Sequence, residues 1–147
     1  MVLKKERLVY PRGLVGDNIY MFTSNSTIRN NGSLVMGAGC ALAVKETYQG
    51  IDKLFGDKIE INQYGVEFVQ WKEQFIGAFQ TKYHWQKSSP LSLVDYSCKK
   101  LAHIANKRKQ HTFHLPFPAI SHGRKGVHEV IPLLEVLPDN VIVYLDK

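Results

Sequence analysis

The sequence predicts an α/β protein, a three-layer fold with helices on both faces of a mixed, mostly parallel central sheet. Three observations carry this expectation. Short β-branched and aromatic runs alternate with segments of helical periodicity, and that alternation builds parallel sheets through crossover helices. Two glycine-containing loops each lead from a strand into a helix, where open α/β sheets bind ligands beyond the carboxyl ends of their strands. The 147 residues, 44% hydrophobic and 22% charged, suit one unit with an ordinary core, so a single domain is expected over 1–147.

The elements follow in order. Residues 19–23 (IYMFT) read as a buried strand, and a helix is expected over 40–49, behind the first glycine loop. Two alternating runs at 58–61 and 66–69 flank Asn62-Gln63-Tyr64-Gly65, which reads as a hairpin or meander. Residues 75–79 form the next core strand. Ser88-Ser89-Pro90 supplies a serine cap and a first-turn proline for a helix over 91–107. Its stripe of Leu91, Val94, Cys98, Leu101, Ile104 and Ala105 recurs at three- and four-residue steps. A strand at 112–115 ends at Pro116 and Pro118, a short helix covers 127–136, and 141–145 closes the sheet.

A net charge of +6 favours polyanions or a negatively charged small ligand. The cations cluster at Lys99-Lys100, Lys107-Arg108-Lys109 and Arg124-Lys125. The first two clusters read as solvated faces, whereas Arg124-Lys125 falls inside a glycine loop. No apolar run is long enough to span a bilayer, and the basic N-terminal residues have no apolar stretch behind them, unlike a secretory signal. Cys40 and Cys98 lack metal-ligand spacing and read as free thiols, so a cytoplasmic, reducing location is expected.

The first loop, Val35-Met36-Gly37-Ala38-Gly39-Cys40-Ala41, places two glycines at the opening of a helix. Backbone N–H groups can there approach an anion without interference from Cβ, at the positive end of the helix dipole. Close packing of helix on sheet would use the same residues. The second loop, Pro118-Ala119-Ile120-Ser121-His122-Gly123-Arg124-Lys125-Gly126, has glycines that permit unusual backbone angles. Ser121, Arg124 and Lys125 can donate to phosphate or ribose oxygens. Two such loops on one sheet edge can grip a diphosphate from both sides.

Between them, Thr81-Lys82-Tyr83-His84-Trp85 follows the central strand. Lys82 can pair with phosphate, or act as base or nucleophile if its pKa is depressed; an exposed strand-end lysine would need neither role. His84 and Trp85 can stack on or hydrogen-bond a ligand, or simply pack at the rim. Asn25 and Asn31 both compete as the ribose contact, although asparagine also serves in turns. Asp17, after Gly16, could accept from an adenine amino group.

Three segments together resemble a macro domain, the ADP-ribose-binding α/β module: 35–41, 81–85 and 118–126. The resemblance covers residues 19–145 and is greatest to the branch containing the DNA ADP-ribosyl glycohydrolase antitoxins and related deacylating domains. It implies an ADP-ribose cleft in which Gly37, Ala38 and Gly39, flanked by Met36 and Cys40, border the distal ribose and diphosphate. The loop from Ser121 through His122, Gly123, Arg124 and Lys125 to Gly126 would wrap the other side, with Thr81 and Trp85 nearby. It also implies a catalytic lysine at Lys82, working at the ribose anomeric carbon. Two departures stand out: a longer approach at 26–34, and Arg124-Lys125 where some relatives carry an acid.

The expected activity is hydrolysis that frees ADP-ribose from a macromolecule. The alternatives are a phosphatase acting on ADP-ribose 1″-phosphate, assisted by His122 or His84, and a non-catalytic reader of ADP-ribose-type nucleotides. The expected partner is ADP-ribose or an ADP-ribosylated substrate, with nucleic acid favoured by the charge. No metal, cofactor or membrane is expected, and the chain is expected to be a monomer.

Overall fold

Alternation of apolar side chains along two central strands divides the molecule into two cores. The structure, a computed structural model, describes residues 1–146. In β2 (Asn18–Ser24), Met21 faces one core and Phe22 the other. In β4 (Gln74–Gln80), Phe79 joins Met21, whereas Ile76 and Ala78 join Phe22. This period of two is what a strand covered on both faces requires.

The first core packs α3 (Leu91–Lys107) and α4 (Val127–Leu134) on the sheet through Val94, Leu101, Val130 and Leu134. The second packs α1 (Gly39–Thr47) and α2 (Ile51–Lys58) through Val44, Ile51 and Phe55. Helices therefore cover both faces, as the alternation of strands and helices predicts.

The sheet has six strands in the order β1-β6-β5-β2-β4-β3, completed by β1 (Val2–Lys4), β3 (Val66–Trp71), β5 (Thr112–Pro116) and β6 (Val141–Tyr144). Every neighbouring pair is parallel except β3–β4. The mixed, mostly parallel sheet is the one expected. The strands β2, β4 and β5 lie side by side and run the same way, so their carboxyl ends form one edge. Among the described residues, no helix is long and apolar enough to cross a membrane.

Several local expectations are corrected. The alternating run at 58–61 is not a strand: Lys58 ends α2, and the hairpin is β3–β4 instead, turning at Lys72 with φ of 53°. Ile51, Phe55 and Ile59 are all buried at four-residue spacing, while Ile61 is 67% exposed. The run belongs to a helical stripe, and the period of two is accidental. Gly50, in the left-handed region with φ of 86°, separates α2 from α1. No serine caps α3; its N-cap is Pro90, and the Ser89 hydroxyl is buried without a partner. The short edge strand β1 carries too few residues to announce itself in the sequence.

Candidate functional site

A buried carboxamide organises the carboxyl edge of the sheet. The Gln80 Oε1 accepts from the Tyr64 and Gly65 N–H groups at 2.8 and 2.9 Å. Its Nε2 donates to Asn62 O at 2.6 Å, Lys82 O at 3.2 Å and Ser26 Oγ at 3.3 Å. The Thr81 N–H donates to Ser24 O at 2.8 Å, and the Ser26 hydroxyl donates to Tyr83 O at 2.7 Å. The segments leaving β2 and β4 are thus tied together, and Lys82 is held between them. Sequence reasoning passed over Gln80; the signal was a polar residue closing an otherwise apolar strand.

Lys82 is 9% exposed, and its Nζ donates to Trp85 O at 3.3 Å. Burial lowers its pKa below the usual lysine value, and the nearby Arg124 guanidinium adds to the shift. The shift makes the neutral amine more accessible here than in a solvated lysine.

The first glycine loop opens α1 at Gly39, whose φ of +57° favours glycine. Its N-cap Ala38 offers no side chain to the first N–H groups of the helix, so they remain available to a ligand. The Cys40 Sγ lies 3.1 Å from Thr23 Oγ1 and 3.4 Å from the Thr23 nitrogen, fixing α1 against β2. Asn25 bridges the ends of the 26–34 excursion: its Oδ1 accepts from Thr27 N–H at 2.9 Å and its Nδ2 donates to Val35 O at 3.1 Å.

The second loop takes its unusual angles at other residues than the glycines. Ala119 and Arg124 have φ of 70° and 64°, while Gly126 has an ordinary φ of −82°. Gly123 is there for space, because a Cβ would sit 2.4 Å from Ser89 Oγ and 2.5 Å from Ala119 O. Lys125 N–H closes the loop on Ala119 O at 2.8 Å, and Ser89 N–H holds Gly123 O at 3.0 Å. The two loops meet: a Cβ on Gly39 would touch the His122 ring, 3.4 Å away.

The result is a cleft of about 1120 Å³ at the carboxyl edge. Of the residues singled out in the sequence, Asn25, Gly37, Ala38, Gly39, Cys40, Thr81, Lys82, Trp85, Ser121, His122, Gly123 and Arg124 line it. Five others do not. Asp17 precedes β2, at the opposite end of a strand about 20 Å long. Asn31 closes a turn, its Oδ1 accepting from the Ser33 N–H and hydroxyl at 3.0 and 2.6 Å. Met36 is fully buried in the second core. Lys125 and Gly126 lie beyond the lining, where Gly126 N–H donates to Glu129 Oε2 at 2.7 Å and starts α4. His84 stacks beside Trp85, with ring centres 6.0 Å apart, outside the lining.

The sequence did not single out Thr23, Thr27, Arg29, Gln86 or Phe117, all of which line the cleft. Its charged residues are Arg29, Lys82 and Arg124, with no carboxylate among them. Such a cavity attracts anions and offers no carboxylic acid to protonate a leaving group.

The sequence matches no protein-family model and no curated protein, but solved structures do match. The macrodomain of Mycobacterium tuberculosis DarG is similar with a TM-score of 0.72 at 20% identity, covering 97% of this chain and 99% of that one. The macrodomain of Thermus aquaticus DarG gives 0.63 at 19%, covering 99% of each. Thermosipho africanus DarTG, solved in complex with ADP-ribose, gives 0.69 at 19% and covers 88% of this chain, which spans 38% of that protein's length. The fold is that of a macrodomain.

Proposed function

We propose that the cleft binds ADP-ribose and that the protein is a hydrolase releasing ADP-ribose from a macromolecular carrier. The observation that carries this reading is the convergence of two strand-to-helix loops and a buried lysine on one acid-free cleft. The open N–H groups of α1 and the Arg124 side chain suit a diphosphate, and the solved complex of Thermosipho africanus DarTG with ADP-ribose lends the fold a precedent. Asn25 is the asparagine within reach of a ribose. The two free thiols, Cys40 and Cys98, suit a reducing cytoplasm.

With no carboxylate in the lining, the chemistry falls to Lys82. Its neutral amine attacks the anomeric carbon of the distal ribose, the bond to the carrier breaks with its electron pair leaving on the carrier, and a proton from solvent completes the leaving group. Water then hydrolyses the enzyme-bound glycosylamine and restores the amine. The test is release of ADP-ribose from ADP-ribosylated DNA and protein. Lys82→Ala should abolish release while holding affinity for ADP-ribose within about tenfold, roughly 1.4 kcal/mol.

A second reading draws on His122, which lines the cleft against Gly39: hydrolysis of ADP-ribose 1″-phosphate. Inorganic phosphate released from that compound at a rate indifferent to Lys82→Ala would favour it. Tight binding with turnover of neither substrate would leave a reader.

A further inference from the structure

We propose that Arg29 is the specificity residue of the cleft and recognises a phosphate carried beyond the distal ribose. The proposal rests on ADP-ribose occupying the cleft. With ADP-ribose in place, the α1 N–H groups and Arg124 face the diphosphate and Lys82 faces the ribose. Arg29 then has no partner within that ligand. Nor does it have one in the protein, since among the described residues it forms no ion pair. It lines the cleft yet remains exposed to solvent.

The surroundings hold the backbone that carries this cation in a fixed place. Residues 26–34 leave β2, turn at Arg29–Gly32 and return. Ile28 bridges Leu34, Arg29 N–H donates to Ser33 O at 2.8 Å, and Gly32 N–H donates to Arg29 O at 2.9 Å. Asn31 secures the turn internally, and α2 secures it from below. The Lys53 ammonium donates to Asn31 O at 2.6 Å, and Leu34 N–H donates to Asp52 O at 2.9 Å. Gly56 lies so close that a Cβ there would stand 1.8 Å from Gly32 O.

The same excursion also anchors Trp85. The Trp85 N–H donates to Thr27 Oγ1 at 3.2 Å, and the indole is half exposed at the cleft mouth. An arginine fork and an exposed indole lining one cleft suit a phosphate with an attached ring system. Two sources share this chemistry: the phosphodiester of an ADP-ribosylated nucleic acid, and the phosphomonoester of ADP-ribose 1″-phosphate.

The test compares wild type, Arg29→Gln and Arg29→Lys by calorimetric binding to three probes. These are ADP-ribose, ADP-ribose 1″-phosphate, and a single-stranded oligodeoxynucleotide bearing ADP-ribose. Binding to the oligodeoxynucleotide uses a variant lacking Lys82, so that the probe survives. Arg29→Gln should cost at least about tenfold more affinity for a phosphate-bearing probe than for ADP-ribose, with Arg29→Lys recovering part of it. A selective loss on the oligodeoxynucleotide, with a salt slope reduced by about one, identifies the phosphodiester. A selective loss on the 1″-phosphate identifies the phosphomonoester. Equal losses on all three probes, or none on any, would overturn the proposal while leaving the ADP-ribose cleft intact. Failure of wild type to bind ADP-ribose would instead remove the reading beneath it.

Discussion

Lys82 and His114 illustrate how single residues acquire their properties from burial. The Lys82 ammonium is disfavoured by desolvation and by Arg124, so the neutral amine appears at lower pH than for a free lysine at 10.5. If the amine is the nucleophile, turnover should rise with pH along a limb centred below 10.5. Lys82→Arg should bind ADP-ribose yet turn nothing over, because a guanidinium stays protonated. His114 sits in the middle of β5, stacked on Tyr20 at 4.4 Å. Its two ring nitrogens lie 2.8 Å from the Tyr144 hydroxyl and 2.8 Å from Asn18 Oδ1. Burial, assisted by Lys4, lowers its pKa below 6.5. The unfolded chain then binds this proton more readily than the folded one, so stability is lost as pH falls through 6.5. Urea midpoints between pH 8 and 5 should decline in wild type and decline less in His114→Gln.

At the scale of elements, α2 deserves most of the credit for the shape of the cleft mouth, although it touches no ligand position. Its apolar stripe of Ile51, Phe55 and Ile59 docks it on the sheet, and its Gly56 then admits the Gly32 carbonyl. Gly56→Ala should push the two apart, at a cost of about 1–3 kcal/mol for an overpacked contact. The thermal midpoint should fall, and the Arg29-dependent selectivity should weaken with it. The sequence concealed this helix because Ile59 satisfies both a period of two with Ile61 and a period of four with Phe55. Only the burial of the one and the exposure of the other separate the two patterns. The second loop is similar: its glycines were legible as turn residues, yet the left-handed angles fall on Ala119 and Arg124, while Gly123 is required for space, since Ser89 Oγ and Ala119 O leave it no room for a side chain.

The whole molecule places its cleft where the carboxyl ends of three parallel strands coincide, on a rigid edge between two cores. A ligand that binds only this folded edge must stabilise the entire chain. ADP-ribose at one hundred times its dissociation constant should add about 2.7 kcal/mol, read as a rise in thermal midpoint. AMP, lacking the distal ribose, should give a smaller rise at the same concentration. The absence of any shift with ADP-ribose at millimolar concentration would remove the proposed ligand. The net charge of +6 adds a general attraction for anions, but three cations inside one acid-free cleft give it direction.

The sequence by itself determined the alternation of strands and helices, the mostly parallel sheet, the two glycine loops and the lysine following the central strand. These are local matters, set by side-chain periodicity and turn chemistry over a few neighbouring residues. Only the tertiary structure decided that Asn25 lines the cleft while Asn31 closes a turn, that Asp17 lies at the opposite sheet edge, and that Arg29 joins Lys82 and Arg124. Those outcomes depend on strand register, on the direction of each crossover and on what packs beneath each loop. The turn at Asn31 is itself local, bonded two residues on. Where each loop lands, however, is set by contacts far apart in the chain, such as Tyr64 Oη to Asn25 O and Lys53 Nζ to Asn31 O, and no short window of neighbouring residues contains those.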